Sequence, residues 1–263
     1  IINNIALLGE VPRLSRSENH LIARNDRSIL SESFRIIRTN LEYIRRSTAV
    51  EKYNNVICVT STINGEGKSF FSLNRALTIA NTGKKVLLIG ADVRKPQIYS
   101  AIKKNKKDKD PDKTGLTDYL SDKSVSVTET INDYRINDIT IDILLSGKVP
   151  PNPAELLMSD RLKDLFDTVS EDYDYVIVDT APSMLVTDTL LISEYAGHTI
   201  YLTRADYTEK RILNFTRELN ASRKLNNMML VVNDVKQSNF GYGAKYGYYN
   251  APEKKGFFSR KKA

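Results

Sequence analysis

VICVTSTINGEGKSF, residues 56–70, combines an apolar strand, a glycine turn and the beginning of a helix. Gly65 and Gly67 allow backbone N–H groups to wrap around a polyphosphate, and the helix N-terminus adds partial positive charge. Lys68 can reach the terminal phosphates, and the Ser69 hydroxyl can complete a Mg²⁺ coordination sphere. The stretch therefore predicts a phosphate-binding loop.

The loop meets the pattern G-x-x-x-x-G-K-[ST] except at its first position, where Thr62 replaces glycine. A glycine turn with a solvated lysine is the alternative, but the strand before it and the helix after it favour nucleotide binding. Lys68 is predicted to be catalytic. The predicted nucleotide-binding residues of the loop are Asn64, Gly65, Glu66, Gly67, Lys68, Ser69 and Phe70.

Composition fits one α/β domain, because 263 residues can bury a full sheet between helix layers. Much of the net charge of +7 lies in local runs such as residues 103–113. That run is predicted to be a solvated loop, and contact with anionic lipid is its alternative role. The single cysteine, Cys58, lies in an apolar strand, which excludes a disulfide framework and suggests a reducing compartment.

Several classes of protein are disfavoured. With only His20 and His198 present, a zinc cluster is excluded and a Ser-His-Asp hydrolase is disfavoured. The HRD and DFG signatures of eukaryotic-type protein kinases are missing. No apolar run approaches the roughly 18 residues that cross a bilayer. Because the chain begins at Ile1 rather than methionine, we expect a fragment, with any membrane segment upstream.

Strand and helix patterns alternate along the chain. Helices are predicted over 28–47, 68–82, 115–120, from the proline cluster through 169, 187–195 and 208–225. Strands are predicted over 56–59, 85–89, 139–145, 173–178, 199–202 and 228–232. The alternation predicts a three-layer α/β P-loop fold, with a mostly parallel central sheet flanked by helices on both faces. One domain is expected over 1–238, followed by a flexible tail over 239–263.

Two aspartates follow apolar strands. Asp92 comes just after VLLIGA, and Asp179 ends VIVD. Ligands in open α/β sheets bind outside the carboxyl ends of the strands. We therefore predict that both aspartates are catalytic and that they hold Mg²⁺ or its waters together with Ser69. A strand-terminal aspartate can also simply cap the next helix.

Taken together, these motifs resemble the bacterial tyrosine kinase (BY-kinase) family, in the MinD/ParA branch of P-loop proteins. The resemblance covers nearly the whole chain, from LLGEVPR at Leu7 to the terminal tyrosines. The motifs that carry it are GEGKS, Asp92 with Arg94 and Pro96, VIVDTAP, LLSGKVPPNPAELL (residues 144–157) and Glu32-x-x-Arg35-x-x-Arg38-x-Asn40.

The resemblance implies an ATP- and Mg²⁺-dependent protein-tyrosine kinase tied to capsule or exopolysaccharide biosynthesis and export. It implies the cytoplasmic domain of a membrane protein, at the cytoplasmic face of the bacterial inner membrane. The implied partners are other copies of the chain in a homo-oligomeric ring, the polysaccharide export machinery and a cognate tyrosine phosphatase, and no nucleic acid. Two alternatives stay open, a MinD/ParA-like ATPase switch and a nucleotide-binding scaffold with little catalysis.

Three positions depart from the family pattern. Gly90 stands where many members carry a first aspartate, so Asp92 would act alone or activity would be weak. The signature lysine of the MinD/ParA loop is absent near Ile63, which favours the kinase branch. Ala181 replaces a proline often found after the strand that ends in Asp179.

The C-terminal segment supplies the predicted phosphoacceptors, Tyr242, Tyr246, Tyr248 and Tyr249. Glycine and alanine separate them, which indicates an exposed and mobile segment rather than a core. An aromatic stretch that stacks on nucleic acid or sugar is the alternative. From Asn239 about 25 residues can span about 80 Å when extended, enough to reach a neighbouring active site, so we expect autophosphorylation in trans.

The helix predicted over 28–47 has two distinct sides. Its apolar face repeats at 3-4-3 spacing and consists of Phe34, Ile37, Leu41 and Ile44. Its charged stripe, on roughly the opposite side, consists of Glu32, Arg35 and Arg38. A solvated face is the ordinary interpretation of such a stripe, whereas the family resemblance implies a role in ring oligomerisation.

Three more residues are assigned to the nucleotide. Asn233 and Asp234 close the last strand, where an amide and a carboxylate would contact the adenine edge. A turn-forming pair is the alternative for these two residues. Arg94 would contact phosphate or pair with a carboxylate.

Overall fold

One central sheet organises the chain. The computed structural model describes residues 5–15, 17–18, 20–103, 114–236 and 238. In these ranges the strands are β1 (Ala6–Pro12), β2 (Val56–Ser61), β3 (Val86–Gly90), β4 (Ile131–Ile136), β5 (Ile139–Leu144), β6 (Tyr175–Asp179), β7 (His198–Arg204) and β8 (Met228–Val235). They lie in the order β1-β8-β7-β2-β6-β3-β5-β4. Every neighbouring pair is parallel except β4 and β5, an antiparallel hairpin at one edge. The predicted mostly parallel sheet is confirmed.

Helices cover both faces of the sheet. In the same ranges they are α1 (Ile29–Ser47), α2 (Lys68–Ala80), α3 (Ile98–Ile102), α4 (Leu116–Ser121), α5 (Val127–Thr130), α6 (Pro153–Leu157), α7 (Asp160–Asp172), α8 (Asp188–Ser193) and α9 (Leu213–Ala221), with a 3₁₀ helix at Lys210–Ile212. α1 and α2 pack on one face, where Phe34 and Phe71 are buried. α4, α7 and α8 pack on the other face, where Phe166 is buried. The expected three-layer α/β fold is confirmed.

The central strand β2 is apolar towards both helix layers. Ile57 and Val59 belong to the core cluster on the α1 and α2 side, whereas Val56 and Cys58 belong to the cluster on the opposite side. Successive side chains of a strand point to opposite faces. A strand between two helix layers is therefore buried at every position, as all of β2 is.

α1 packs on the helix that follows the phosphate loop. Its first turn is capped by the Ser28 hydroxyl, which accepts a hydrogen bond from the Ser31 N–H at 3.2 Å. The predicted apolar face is buried, and the rings of Phe34 and Phe71 have centroids 5.1 Å apart. Because Phe71 belongs to α2, this contact joins α1 to the nucleotide-site helix.

The sequence patterns miss two edge strands, β1 and β4. β1, ALLGEVP, contains glycine and proline, which signal turns, yet it pairs in parallel with β8. β4, INDYRI, pairs only with β5 and is mostly half-buried, so it carries polar residues that weaken a strand signal. In both strands, tertiary pairing outweighs the local preference.

The last helix is shorter than predicted. The pattern predicts helix over 208–225, but α9 covers Leu213–Ala221. Thr208 instead uses its hydroxyl to accept a hydrogen bond from the Arg204 N–H at 2.8 Å, and it bonds to the Glu66 carboxylate. At the other end, Arg223 has a left-handed φ of 52°, which terminates the helix.

Among the helices of the described ranges, we find none with the length and apolar character that a membrane span requires.

Candidate active site

The predicted phosphate loop lies between β2 and α2, as its strand–turn–helix pattern requires. Gly65 and Gly67 have left-handed φ values of 83° and 96°. A Cβ atom added to Gly67 would lie 2.1 Å from the Asn233 amide nitrogen. Glycine is therefore required at this position by both conformation and space.

Three side chains from the β7 and β8 side hold the carbonyl oxygens of the loop. The Tyr207 hydroxyl donates to Asn64 O at 3.1 Å, Arg204 Nη1 donates to Gly65 O at 2.9 Å, and Asn233 Nδ2 donates to Glu66 O at 2.9 Å. The three bonds hold the carbonyl groups of three consecutive loop residues, 64–66. The loop is thus held in shape by residues far away in sequence.

Two loop side chains point into the protein. Glu66 is fully buried, and its carboxylate accepts a hydrogen bond from the Ile63 N–H at 2.7 Å. Only the backbone of Glu66 is therefore placed to contact a nucleotide. Thr62, at the position of the missing first glycine, shares hydrogen bonds with the Tyr201 hydroxyl at 3.0 Å and the Thr216 hydroxyl at 3.4 Å. The departure at Thr62 thus anchors the loop to β7 and α9.

A cavity of 580 Å³ opens above the loop. It brings together residues that the sequence predicts separately, because Lys68, Ser69 and Asp92 all line it. The remaining residues that line it are His20, Leu21, Asn64, Gly65, Gly67, Phe70, Lys95, Gln97, Ser100 and Ala101. This is the candidate active site.

Asp179 lies directly behind Ser69. Its carboxylate is 1% exposed and accepts hydrogen bonds from the Ser69 hydroxyl at 2.6 Å and the Ser72 hydroxyl at 3.1 Å. Burial raises the pKa of Asp179 to about 6, although the two hydroxyls and Lys68 oppose the shift. The neighbouring groups therefore do not fully compensate the negative charge of the Asp179 carboxylate.

The donor set fits magnesium. Ser69, Asp179 and Asp92 offer only oxygen atoms, the ligands that Mg²⁺ prefers, and a divalent cation would supply the charge that the buried carboxylate lacks. The register of the sheet places Asp179 beside Val59 of β2 and Gly90 of β3, so the strand tips meet at this point.

Lys68 is folded into the same site. Its ammonium donates to the Ser61 hydroxyl at 3.3 Å and the residue is 7% exposed. Burial lowers the pKa of Lys68, and the carboxylates of Asp179, Asp92 and Glu66 oppose that shift. Burial outweighs the negative field of these carboxylates, and the amine lies at the cavity that a phosphate would enter.

Asp92 is held by the turn that follows it. Its Oδ1 accepts hydrogen bonds from the Lys95 N–H at 2.9 Å and the Arg94 N–H at 3.3 Å. These bonds fix the carboxylate at the cavity wall, where it is 8% exposed. A Cβ on Gly90 would meet its nearest atoms at 3.5 Å, an ordinary contact, so packing does not force glycine at the position of the missing first aspartate.

Arg94 pairs with a carboxylate, which is the second of its two predicted roles. Its guanidinium forms a bidentate ion pair with Asp188, at 2.7 and 3.0 Å, and the Asp188 side chain is 1% exposed. In the part of the chain that the structure describes, Arg94 lines neither cavity at the loop. The pair ties the turn after Asp92 to the first turn of α8.

A second cavity of 230 Å³ adjoins the first and contains the predicted adenine-binding residues. Asn233 and Asp234 line it together with Arg204. Asp234 forms ion pairs with Arg13 at 3.0 Å and with Arg204 at 3.1 Å. Asn233 is tied to the loop through its amide nitrogen, so the two residues do more than form a turn.

The charged stripe of α1 is not freely solvated. Arg35 pairs with Glu32 and donates to Asp26 O at 2.6 Å, and Arg38 donates to Thr78 O of α2 at 3.4 Å. All three stripe residues are half-buried. The expectation of a stripe that projects away from the fold is wrong in this respect, because Arg38 reaches back to α2.

The predicted lysine-rich loop lies outside the described residues from 104 onwards, and so do the phosphoacceptors Tyr242, Tyr246, Tyr248 and Tyr249.

Sequence reasoning misses several residues of the site. Ser72 carries a usable signal, because it lies three positions after Ser69 on the same helix face. Arg204, Tyr207 and Thr208 carry none, since only the tertiary fold brings them to the loop. His20 lines both cavities but stands alone in a loop without a motif.

A phosphate loop backed by a buried strand-terminal carboxylate defines a P-loop nucleotide-binding protein. Residues 54–232 match the family described as the AAA domain. The chain superposes with a TM-score of 0.53 at 16% identity on the septum site-determining protein MinD from Pyrococcus horikoshii, over 68% of this chain and 69% of that chain, which shows a shared fold.

More similar proteins share one description. The chain is 35% identical over 242 residues to the tyrosine-protein kinase YwqD of Bacillus subtilis, 92% of this chain and 95% of that protein. It is 33% identical over 238 residues to the putative tyrosine-protein kinase EpsB of Ralstonia nicotianae, 88% of this chain but only 29% of that protein. The kinase domain of the Escherichia coli tyrosine kinase ETK superposes with a TM-score of 0.73 at 26% identity, over 89% of this chain and 92% of that one. The chain belongs to the bacterial protein-tyrosine kinases.

The buried carboxylate gives a testable pH dependence. The folded-state pKa of Asp179, about 6, lies above its ordinary value of 3.8. Between these values the folded protein keeps a proton that the unfolded chain releases, so the free energy of unfolding falls as pH rises through this window. At pH 7 and without nucleotide, Asp179→Asn should therefore raise the free energy of unfolding by about 1–3 kcal/mol. Near pH 4 the difference should vanish.

Urea denaturation at the two pH values measures this effect. Asp174→Asn is the matched control, because the Lys85 N–H and Lys84 lower the pKa of Asp174 and its removal should give no gain. A loss of stability in Asp179→Asn at pH 7 would contradict the account of this site.

Proposed function

We propose that this chain transfers the γ-phosphoryl group of ATP to tyrosine hydroxyls, chiefly those of its own C-terminal tail on another copy. One observation carries the proposal. Lys68, Ser69 and Asp92 line a single cavity at the carboxyl edge of the sheet, with Asp179 hydrogen-bonded directly behind Ser69. That edge is where P-loop sheets bind nucleotides.

The side chains divide the work as follows. Lys68 would neutralise charge that develops on the transferring phosphoryl group. Ser69 and Asp179, with Asp92 nearby, would hold Mg²⁺, which when bound neutralises phosphate charge. Asp92, held by two backbone N–H groups, would orient the tyrosine hydroxyl or accept its proton. The backbone of residues 64–67 would bind the phosphates, and Asn233 and Asp234 would lie at the adenine.

The end of β8 and the length of the tail both support self-modification. β8 ends at Val235, two residues after Asn233, so the strand that precedes the tail ends beside the nucleotide cavities. The tail's length of about 25 residues also permits it to reach a neighbouring site about 80 Å away. Transfer in cis is therefore the rival, and the experiment must separate the two.

Mixing two variants, each of which cannot label itself, tests transfer in trans. Lys68→Met keeps the acceptor tyrosines but lacks the catalytic ammonium, and the quadruple variant Tyr242→Phe, Tyr246→Phe, Tyr248→Phe, Tyr249→Phe keeps the site but lacks the acceptors. With Mg-ATP, each alone should show less than about 1% of wild-type tail labelling. Lys68→Met loses an electrostatic contact worth about 10²–10³ in rate, and the quadruple variant has no acceptor tyrosines in its tail. Their mixture should label the tail of the Lys68→Met chain, as read by mass spectrometry.

Lys148→Met serves as the control, because the Lys148 side chain is exposed and lies away from the cavity. Its tail labelling should match the wild type. No labelling in the mixture, with active wild type, would contradict transfer in trans. ATP hydrolysis by the wild type without phosphotyrosine would indicate a MinD/ParA-like ATPase, and ATP binding with neither activity would indicate a scaffold.

The charged stripe of α1 is proposed to contact a second copy of the chain. Two large apolar residues on the same helix support this role, since Ile36 is 41% exposed and Tyr43 is 77% exposed. Glu32, Ile36 and Tyr43 are spaced by four and seven residues, so they lie along one side of the helix. A surface that mixes exposed apolar side chains with arginines is typical of protein interfaces.

Removing the two arginines of the stripe tests self-association. The double variant Arg35→Ala with Arg38→Ala should stay folded, because each arginine loses only one or two bonds within its own chain. It should be a monomer, with tail labelling reduced at least about tenfold. Arg46→Ala, an exposed position on the last turn of α1, is the control. Unchanged sedimentation of the double variant would remove the stripe from the interface.

The location and partners follow from the resemblance alone. We place this chain at the cytoplasmic face of the bacterial inner membrane, where phosphorylation of its tail would regulate capsule or exopolysaccharide biosynthesis and export. The polysaccharide export machinery and a cognate tyrosine phosphatase would be its partners. Fractionation of the native host, with the chain absent from the membrane fraction, would overturn this placement.

A further inference from the structure

His20 stands at the junction of the two cavities. It lines the 580 Å³ cavity beside Lys68 and Ser69, and it also lines the 230 Å³ cavity beside Asn233 and Asp234. A nucleotide whose phosphates occupy the first cavity and whose base extends into the second must pass this junction. The imidazole is exposed, so it is available to a ligand.

The backbone at His20 is fastened to the nucleotide-site helix. Asn74 of α2 is fully buried, and its amide nitrogen donates to His20 O at 2.9 Å. The amide oxygen of Asn74 accepts a hydrogen bond from the Ile22 N–H at 2.9 Å. A buried amide thus uses both its nitrogen and its oxygen to hold this short segment against α2.

The ring of His20 is also placed by its neighbours. Its Nε2–H donates to Ser15 O at 3.1 Å, since a carbonyl oxygen can only accept. Its edge meets the ring of Phe70, with centroids 6.5 Å apart and planes at 76°. Phe70 follows the loop serine and lines the same two cavities. The two rings are therefore in contact, and both line the two cavities.

We propose that His20 packs its ring against the nucleoside of bound ATP, supported by Phe70, and so selects a nucleoside triphosphate over bare polyphosphate. The inference rests on the proposed function for the identity of the ligand, and it adds a residue that determines specificity for that ligand. Aromatic side chains stack on every base, and such contacts commonly account for tenfold effects on affinity.

A comparison of two ligands separates this role from a general one. Calorimetry with Mg²⁺ should measure the Kd of ATP and of inorganic tripolyphosphate for the wild type, His20→Ala and His20→Phe. His20→Ala should weaken ATP binding about tenfold and leave tripolyphosphate binding within about twofold of the wild type. His20→Phe keeps an aromatic face and should bind ATP within about threefold of the wild type.

Three results would overturn the inference: unchanged ATP binding by His20→Ala, equal weakening of both ligands, or ATP binding by His20→Phe as weak as that of His20→Ala. The binding measurement does not depend on phosphoryl transfer. Tail labelling by the wild type with ATP binding independent of His20 would sink only this inference. An absence of phosphotyrosine with ATP binding dependent on His20 would sink only the proposed function.

Discussion

The site depends on the groups that compensate the negative charge of one buried carboxylate, that of Asp179. Asp179 ends β6 inside the protein, where an uncompensated charge is costly. Its hydrogen-bond partners, Ser69 and Ser72, come from the first and second turns of α2, and Lys68 adds positive charge. A single helix therefore supplies the groups that hold this carboxylate, and the position of that helix determines where phosphates can bind. The compensation is incomplete, which leaves the carboxylate suited to a divalent cation.

The strand order explains why these groups converge. β2 lies between β7 and β6, so the chain leaves its carboxyl end at a place where neighbouring connections run to opposite sides of the sheet. The loop occupies this crevice. Side chains at or near the carboxyl ends of β3, β6, β7 and β8 all reach it. For this reason Asp92, Asp179, Arg204 and Asn233 meet at one loop, although 141 positions separate the first from the last of them in the sequence.

The departures from the family pattern have different physical meanings. Thr62 replaces a glycine but gains a buried hydroxyl network through Tyr201, so the substitution is built into the packing. Gly90 lacks a carboxylate although a Cβ would fit there at an ordinary distance, so packing does not explain it. The first departure concerns how the loop is anchored, whereas the second bears on the chemistry of the site.

The sequence alone determined the elements whose signals are local. The apolar run of β2, the two loop glycines and Lys68-Ser69 specify a strand, a turn and a helix within fifteen residues, and the aspartates after apolar strands mark the carboxyl edge. Only the tertiary structure decided which distant side chains complete the site. The loop carbonyls accept hydrogen bonds from Arg204, Tyr207 and Asn233. Asp188 forms an ion pair with Arg94, and Asn74 donates a hydrogen bond to the His20 carbonyl. β1 and β4 likewise form because neighbouring strands offer them hydrogen-bond partners. The physical reason is that a local pattern fixes backbone preference, whereas a contact between side chains depends on which strands become neighbours.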